Sequence, residues 1–352
     1  MTSSQALPKG SRILVTGANG FIASHIADQL LKLGYVVRGT ARDEKKLEQI
    51  RETLLSRHPD GHFEGAVVPS FSDVSAVTAA VKGIDSIIHT AADVSMNTDP
   101  NLVVPHSVEG VQTLLKAATS VPSIKSFVLT SSSISAVKPD PGNTSIIDQS
   151  SWNDEDMKLA WAPPPYSPER IFSVYAAGKY ATEKACWEFV AQHKPHFTFN
   201  AVLPNFTTGP ILASWQNAST AGWLMGLWTG HEGGTGVMLN FPPQWFVDVR
   251  DTALDHIAAA IFTDINKQRF FSFAEPFNYS RAVGIFKSID PSKTFPPAPE
   301  NEGEDKFRVQ NGPAEELLKR LGRSGFITFE QSIRDQIELS VPHTAGPRSF
   351  GA

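Results

Sequence analysis

The stretch from Arg12 to Leu33 leaves this chain few folds to choose from. Arg12-Ile-Leu-Val-Thr16 is a short apolar, β-branched run, which predicts a buried strand. Gly17-Ala-Asn-Gly20-Phe-Ile-Ala23 follows, and from Phe21 the apolar residues Ile22, Ile26, Leu30 and Leu33 fall at helical spacing until Gly34 stops them. Strand, glycine-rich turn and helix form the context that a dinucleotide-phosphate site requires. Gly17 and Gly20 let the backbone turn and approach a pyrophosphate, and the helix N-terminus supplies N–H donors. Ala23 stands where a third small residue packs helix against strand. An ordinary βα turn is the plainer alternative.

The alternation continues. Strands are expected at 35–40, 64–68, 86–90, 126–133 and 197–203, with helices at 44–56, 74–82, 104–120 and 169–192. This predicts an α/β fold, a Rossmann-type doubly wound parallel sheet whose ligand crevice lies at the carboxyl ends of the strands. Two strand ends there are chemically suggestive: Thr90-Ala91-Ala92 brings small residues, and Thr130-Ser131-Ser132-Ser133 brings hydroxyls. Residues 1–204 are expected to form the dinucleotide-binding domain and to carry the catalytic groups. Beyond 205 the alternation weakens and Gly, Trp and Phe become frequent. Residues 205–340 are read as a smaller C-terminal substrate-binding subdomain, interleaved with the last sheet strands. It would contain a capped helix at 251–262, a strand at 269–273 and helices at 314–321 and 329–339. Residues 138–170 hold six prolines without periodicity and read as a long loop. Residues 341–352 read as a tail.

Nucleotide choice is usually written after the second strand. An acid there binds the ribose 2′-hydroxyl of NAD, whereas Arg accommodates the 2′-phosphate of NADP. Thr40 stands near the acid's place, with Arg42 next and Lys45 and Lys46 beyond, so NADPH is predicted. Asp43 is expected to cap the following helix rather than to hold a ribose. Arg38 points the other way along the strand.

Tyr175-Ala-Ala-Gly-Lys179 places a phenol and an ammonium one turn apart on one helix face. A nearby ammonium lowers a phenol pKa, and a tuned Tyr exchanges protons with a carbonyl or alcohol oxygen. Tyr180-Ala-Thr-Glu-Lys184 repeats the pattern, rotated by roughly 140° on the helix. Both pairs cannot face one site, and spacing alone does not choose between them. A hydroxyl of the Ser131–Ser133 cluster could bond a carbonyl beside the chosen Tyr, although serine-rich strand ends are also common turns.

Composition narrows the partners. A chain that is 41% hydrophobic and 19% charged reads as soluble and globular. The net charge of −5, without a basic run, argues against nucleic acid. The single cysteine, Cys186, excludes an internal disulfide and fits a reducing compartment. No stretch approaches the length of about 18 apolar residues that spans a membrane, so a cytoplasmic protein is expected. No metal site stands out: His193-x-x-His196 lacks a third ligand, and His231-Glu232 lacks the second His of a zinc helix.

Taken together, Thr16-Gly17-x-x-Gly20-x-x-Ala23, Thr130-Ser131-Ser132 and Tyr175-x-x-x-Lys179 resemble the extended type of the short-chain dehydrogenase/reductase superfamily. VTGANGFIASHIADQLLKLGYVVRGTAR, KSFVLTSSSISAV, VYAAGK, KPHFTFNAVLPNFTTGP and PSKTFP are similar to the NADPH-dependent fungal aldehyde (carbonyl) reductases, relatives of dihydroflavonol 4-reductase. The likeness runs over nearly the whole chain. It favours the first Tyr–Lys pair, because the family pattern places a Glu four residues after the active Lys, and Glu183 stands there. The implied catalytic residues are Ser132, Tyr175 and Lys179. The implied cofactor contacts are Gly17, Gly20, Phe21, Ile22, Arg42, Thr90, Ala91, Ala92, Tyr175, Lys179 and Pro204, with Lys46 added for its charge. Trp223 and Gln244 are implied substrate-pocket residues. Two positions depart from the family: Ser107 where many members have Asn, and Ser70 where an acid often contacts adenine.

The expected activity is NADPH-dependent reduction of an aldehyde or ketone by a monomer or homodimer. Two alternatives are an extended-type epimerase, dehydratase or hydroxysteroid dehydrogenase, and a non-catalytic NADP-sensing regulator. Arg42 and the reductase-like stretches weigh against the first, and the intact Tyr–Lys pair against the second.

Overall fold

The computed structural model describes residues 6–341, so the expected tail, apart from its first residue, lies outside the described residues. Seven parallel strands form the central sheet: β1 Arg12–Thr16, β2 Val36–Ala41, β3 Phe63–Val67, β4 Ser86–His89, β5 Ser126–Thr130, β6 Thr198–Pro204 and β7 Arg269–Ser272. Their order is β7-β6-β5-β4-β1-β2-β3. The direction of winding reverses between β1 and β4, and the carboxyl ends of those strands open the crevice where ligands bind in such sheets.

Parallel strands covered on both faces read as unbroken apolar runs rather than as alternations. Accordingly every residue of β4 and β5 is buried. The two faces feed two cores, because successive side chains point to opposite sides. Ile13, Val15, Ile88 and Val128 join Ile26, Leu30 and Ile257 on one face. Leu14, Ile87, Phe127 and Leu129 join Leu114, Phe199 and Phe271 on the other. Helix Val249–Ile261 is buried at every residue except Arg250 and lies under the first face.

The βα repeat matches its sequence pattern to within a residue or two over residues 12–90. Asp43 does cap helix Glu44–Arg57, accepting from the Lys46 N–H at 2.9 Å. Four segments differ. The expected strand 126–133 ends at Thr130, because Ser132 caps a short helix, Ser133–Ala136, accepting from the Ile134 N–H at 3.4 Å. Helix Pro100–Thr119 begins a turn before the expected position, with Asp99 as its cap and Pro100 in the first turn, where a missing N–H costs nothing. Helix Val249–Ile261 is capped by Asp248, which accepts from the Arg250 N–H at 2.8 Å, so its start precedes the expected 251. The expected loop 138–170 contains a helix, Asp154–Ala160, and a two-residue strand, Ile146–Ile147, paired with Arg308–Val309. Both are too short to show a period.

Beyond Pro204 the chain builds a second, three-stranded sheet. Gln244–Asp248 lies between Phe206–Thr208, its parallel partner, and Glu275–Phe277, its antiparallel one. Phe206, Leu224, Phe246, Phe277, Phe286 and Phe329 fill its core. Helices Thr220–Thr229 and Glu232–Asn240 cross so closely that a Cβ on Gly234 would stand 2.7 Å from the Gly226 Cα. Glycine is there for approach, at the expense of helix propensity. Among the described residues no helix is long and apolar enough to cross a membrane.

Candidate active site

The turn after β1 is built from backbone. Gly17 has φ +63°, and a Cβ there would meet the Ala91 Cα and Cβ at 3.3 Å. Only glycine takes this conformation at little cost. The Gly17 N–H donates to Thr40 Oγ1 at 3.1 Å, and the Gly20 N–H donates to the Gly17 carbonyl at 2.8 Å. Gly20 starts helix Phe21–Lys32 without a side-chain cap, so among the described residues no side chain claims the first-turn N–H groups. Thr16 Oγ1 accepts from the N–H groups of Thr90 and Ala91 at 3.0 Å each, tying the ends of β1 and β4. Its own proton then goes to His89 Nδ1 at 2.9 Å. Burial, helped by the Lys179 charge, pushes His89 down to about 3 and keeps it neutral. This cradle, which a Cβ at Gly17 would fill, and the uncapped helix start fit the pyrophosphate of an NAD(P) dinucleotide.

At the end of β2 the two arginines have different surroundings. Arg38 is committed to Glu64 at 2.9 and 2.6 Å and to the carbonyls of Ala80 and Lys82 at 3.0 and 2.7 Å. Arg42 is exposed just past the strand. Lys46 stands beside it in sequence, 3.2 Å from Asp43.

Tyr175, Lys179 and Ser132 come together at the carboxyl edge of β5. Helix Ile171–His193 carries the first two, and all three are half-buried. Burial pushes the Tyr175 phenol up, and the hydrogen bond with the Ser132 hydroxyl pulls it down. Lys179 Nζ donates to the Thr130 carbonyl at 3.0 Å. Burial lowers the Lys179 pKa to about 8, and the Glu183 charge offsets part of that shift. Thr130 is held in turn by His256, whose Nε2 lies 2.8 Å from Thr130 Oγ1.

The second pair stands elsewhere. Tyr180 donates to Asp154 at 2.7 Å, and Lys184 sits 3.8 Å over the Trp152 ring. Burial and the Asp154 carboxylate raise the Tyr180 phenol to about 12.

Pro204 ends β6 at the same sheet edge. Trp223 packs with Phe206 and Phe241, and Phe241 touches Phe172, three residues before Tyr175. Gln244 is buried, its amide directed at the Pro242 carbonyl at 3.3 Å. Ser107 turns back to the Val103 carbonyl at 2.8 Å, and Ser70 accepts from the Ser72 N–H at 3.1 Å. Two parts of the site have no sequence signal. Asp93, Ser95, Met96 and Asn97, in an irregular segment, line a small cleft with Tyr175. Arg269, from the distant strand β7, pairs with buried Glu183 at 2.7 Å. Among the described residues no cluster of His, Cys, Asp or Glu could hold a metal ion.

Known proteins resemble this chain in sequence and fold. The profile of the NAD dependent epimerase/dehydratase family matches residues 13–209. Aldehyde reductase 2 of Sporidiobolus salmonicolor is 40% identical over 333 residues, covering 94% of this chain and 96% of that protein. The NAD-dependent epimerase/dehydratase terH of Aspergillus terreus is 38% identical over 336 residues, covering 96% and 98%. Among solved structures, yeast methylglyoxal/isovaleraldehyde reductase Gre2, complexed with NADPH, superposes with a TM-score of 0.74 at 24% identity, covering 93% of this chain and 97% of that one. The chain therefore belongs to the NAD dependent epimerase/dehydratase family, within the extended short-chain dehydrogenases/reductases.

Proposed function

We propose that the protein reduces an aldehyde or ketone to the alcohol with NADPH, using Tyr175 as proton donor. One observation carries the reading: a phenol beside a serine hydroxyl, with an ammonium one turn away, next to a glycine cradle at the sheet's carboxyl edge. Its sequence relative at 40% identity, an aldehyde reductase, supports it.

When bound, the dinucleotide supplies the hydride. Gly17, Gly20 and the N–H groups of Phe21 and Ile22 would hold its pyrophosphate. Arg42 and Lys46 would take the 2′-phosphate, and Thr90–Ala92, Lys179 and Pro204 would flank its other half. Ser132 and Tyr175 donate hydrogen bonds to the carbonyl oxygen and polarise it. As negative charge develops there, Tyr175 gives up its proton. The Lys179 ammonium stabilises the phenolate left behind, more strongly in this half-buried setting than in open water. Trp223 and Gln244 are proposed to shape a largely apolar substrate pocket.

Two outcomes follow from the charges. Reduction needs the protonated site, and Lys179 loses its proton near pH 8. A kcat/KM profile should therefore fall as pH rises through that region; a profile that climbs there contradicts the assignment. Arg42→Asp should remove a charge-assisted contact of about 1.5–3 kcal/mol and cut the NADPH-over-NADH preference about 10- to 100-fold. An unchanged preference would mean that another residue reads the phosphate.

The name of the 38%-identical relative favours a second reading, an epimerase or dehydratase. NADPH deuterated at the transferable hydrogen separates the two. Reductase activity puts deuterium into the product alcohol and consumes one cofactor per turnover. An epimerase or dehydratase regenerates its cofactor and shows no net consumption.

A further inference from the structure

Glu183 is fully buried, yet it carries no part of the reaction described above. Its carboxylate accepts from Ser131 Oγ at 2.6 Å and Ser135 Oγ at 2.8 Å, residues on either side of Ser132 in the chain. Ser135 Oγ also lies 2.8 Å from the Ser132 carbonyl. Trp187 Nε1 donates to the same carboxylate at 3.1 Å, and Arg269 Nε donates at 2.7 Å. Arg269 then reaches the carbonyls of Ser151 at 2.6 Å and Gln149 at 3.2 Å. One carboxylate thus joins the loop of Ser132, the helix of Tyr175 and Lys179, the edge strand β7 and the segment around Trp152.

The geometry points to Glu183 as the positioning residue of the site: it sets the Ser132 hydroxyl against Tyr175 and supplies the negative charge that faces Lys179. This rests on the reductase reading. Two serine donors on one acceptor fix the direction of the intervening backbone, and a misplacement of the order of an ångström at reacting atoms costs catalysis heavily. Among the described residues Arg269 pairs with the carboxylate, and its negative charge acts on Lys179 and on the Cys186 thiol. Beyond Lys179 lie His89 and His256, both kept neutral by burial. Glu183 is therefore the acid whose charge acts on Lys179, and it opposes the desolvation of that ammonium.

The test compares wild type with Glu183→Gln and with Ser131→Ala/Ser135→Ala, the latter leaving the Glu183–Arg269 pair intact. Turnover with NADPH and a carbonyl substrate of the wild type, NADPH affinity and the pH profile are measured for each folded variant. Both variants should lose about 10-fold or more in kcat, with KM and the NADPH Kd changed by no more than about threefold, since positioning acts in the transition state. In Glu183→Gln the alkaline limb should also move to lower pH, because removing a negative charge makes nearby acids stronger. A purely structural role would not move that limb. If Glu183→Gln does not fold, the serine variant decides alone. A serine variant with kcat within about twofold of wild type, or an unmoved limb in folded Glu183→Gln, overturns the inference. An inactive wild type would instead strike at the reductase reading.

Discussion

Tyr175→Phe should lower kcat by about 10²- to 10⁴-fold, the usual contribution of a positioned proton donor. The substitution removes one oxygen from a half-buried ring and leaves the ring in place, so folding and NADPH binding should persist. Ser132 would still bond the substrate oxygen, and a residual rate should remain. Tyr180→Phe is the matched control. That phenol donates to Asp154 and has been raised to about 12, so it neither faces the substrate crevice nor parts readily with its proton. Its loss should leave kcat within about twofold, as surface changes away from the chemistry usually do. Steady-state kinetics and NADPH titration of both variants check this. A damaged Tyr180→Phe beside an intact Tyr175→Phe would mean that the second pair does the chemistry.

The largest effect on stability is expected at Arg269. It is 3% exposed and pairs with Glu183, which is fully buried. Its guanidinium also sits 4.0 Å over the Trp152 ring. Arg269→Ala strips the carboxylate of its one cationic hydrogen-bond partner among the described residues and frees two carbonyl acceptors, leaving the serine and indole donors to hold a buried charge. Breaking a buried pair from one side costs about 3–5 kcal/mol. Thermal unfolding should shift down by several degrees. Arg269→Gln combined with Glu183→Gln removes both charges, so it should cost less than the sum of its single changes. An unchanged melting temperature in Arg269→Ala would show that the pair adds nothing to stability.

What was legible in the sequence was local. The β1–turn–helix unit is written within twenty-odd consecutive residues, each choice of residue agreeing with the next. The Asp43 cap is equally local, needing only the three residues that follow it. Helices Thr220–Thr229 and Glu232–Asn240 escaped because their glycines serve close helix crossing, which blurs both propensity and period. The short helix Asp154–Ala160 lay hidden among prolines, and it supplies the Asp154 that claims Tyr180. The Tyr–Lys spacing marked Tyr175 and Lys179 as candidates, but spacing alone left the second pair open. The Glu183–Arg269 pair joins residues 86 apart in the chain, and no local pattern signals such a contact.

The central claim is tested most directly by following NADPH consumption, by its absorbance, against a panel of aldehydes, β-keto esters and a dihydroflavonol, then repeating the panel with NADH. The account predicts steady NADPH oxidation with at least one carbonyl, an alcohol as product, and much slower turnover with NADH. Tight cofactor binding without turnover of any carbonyl by either nucleotide would contradict it.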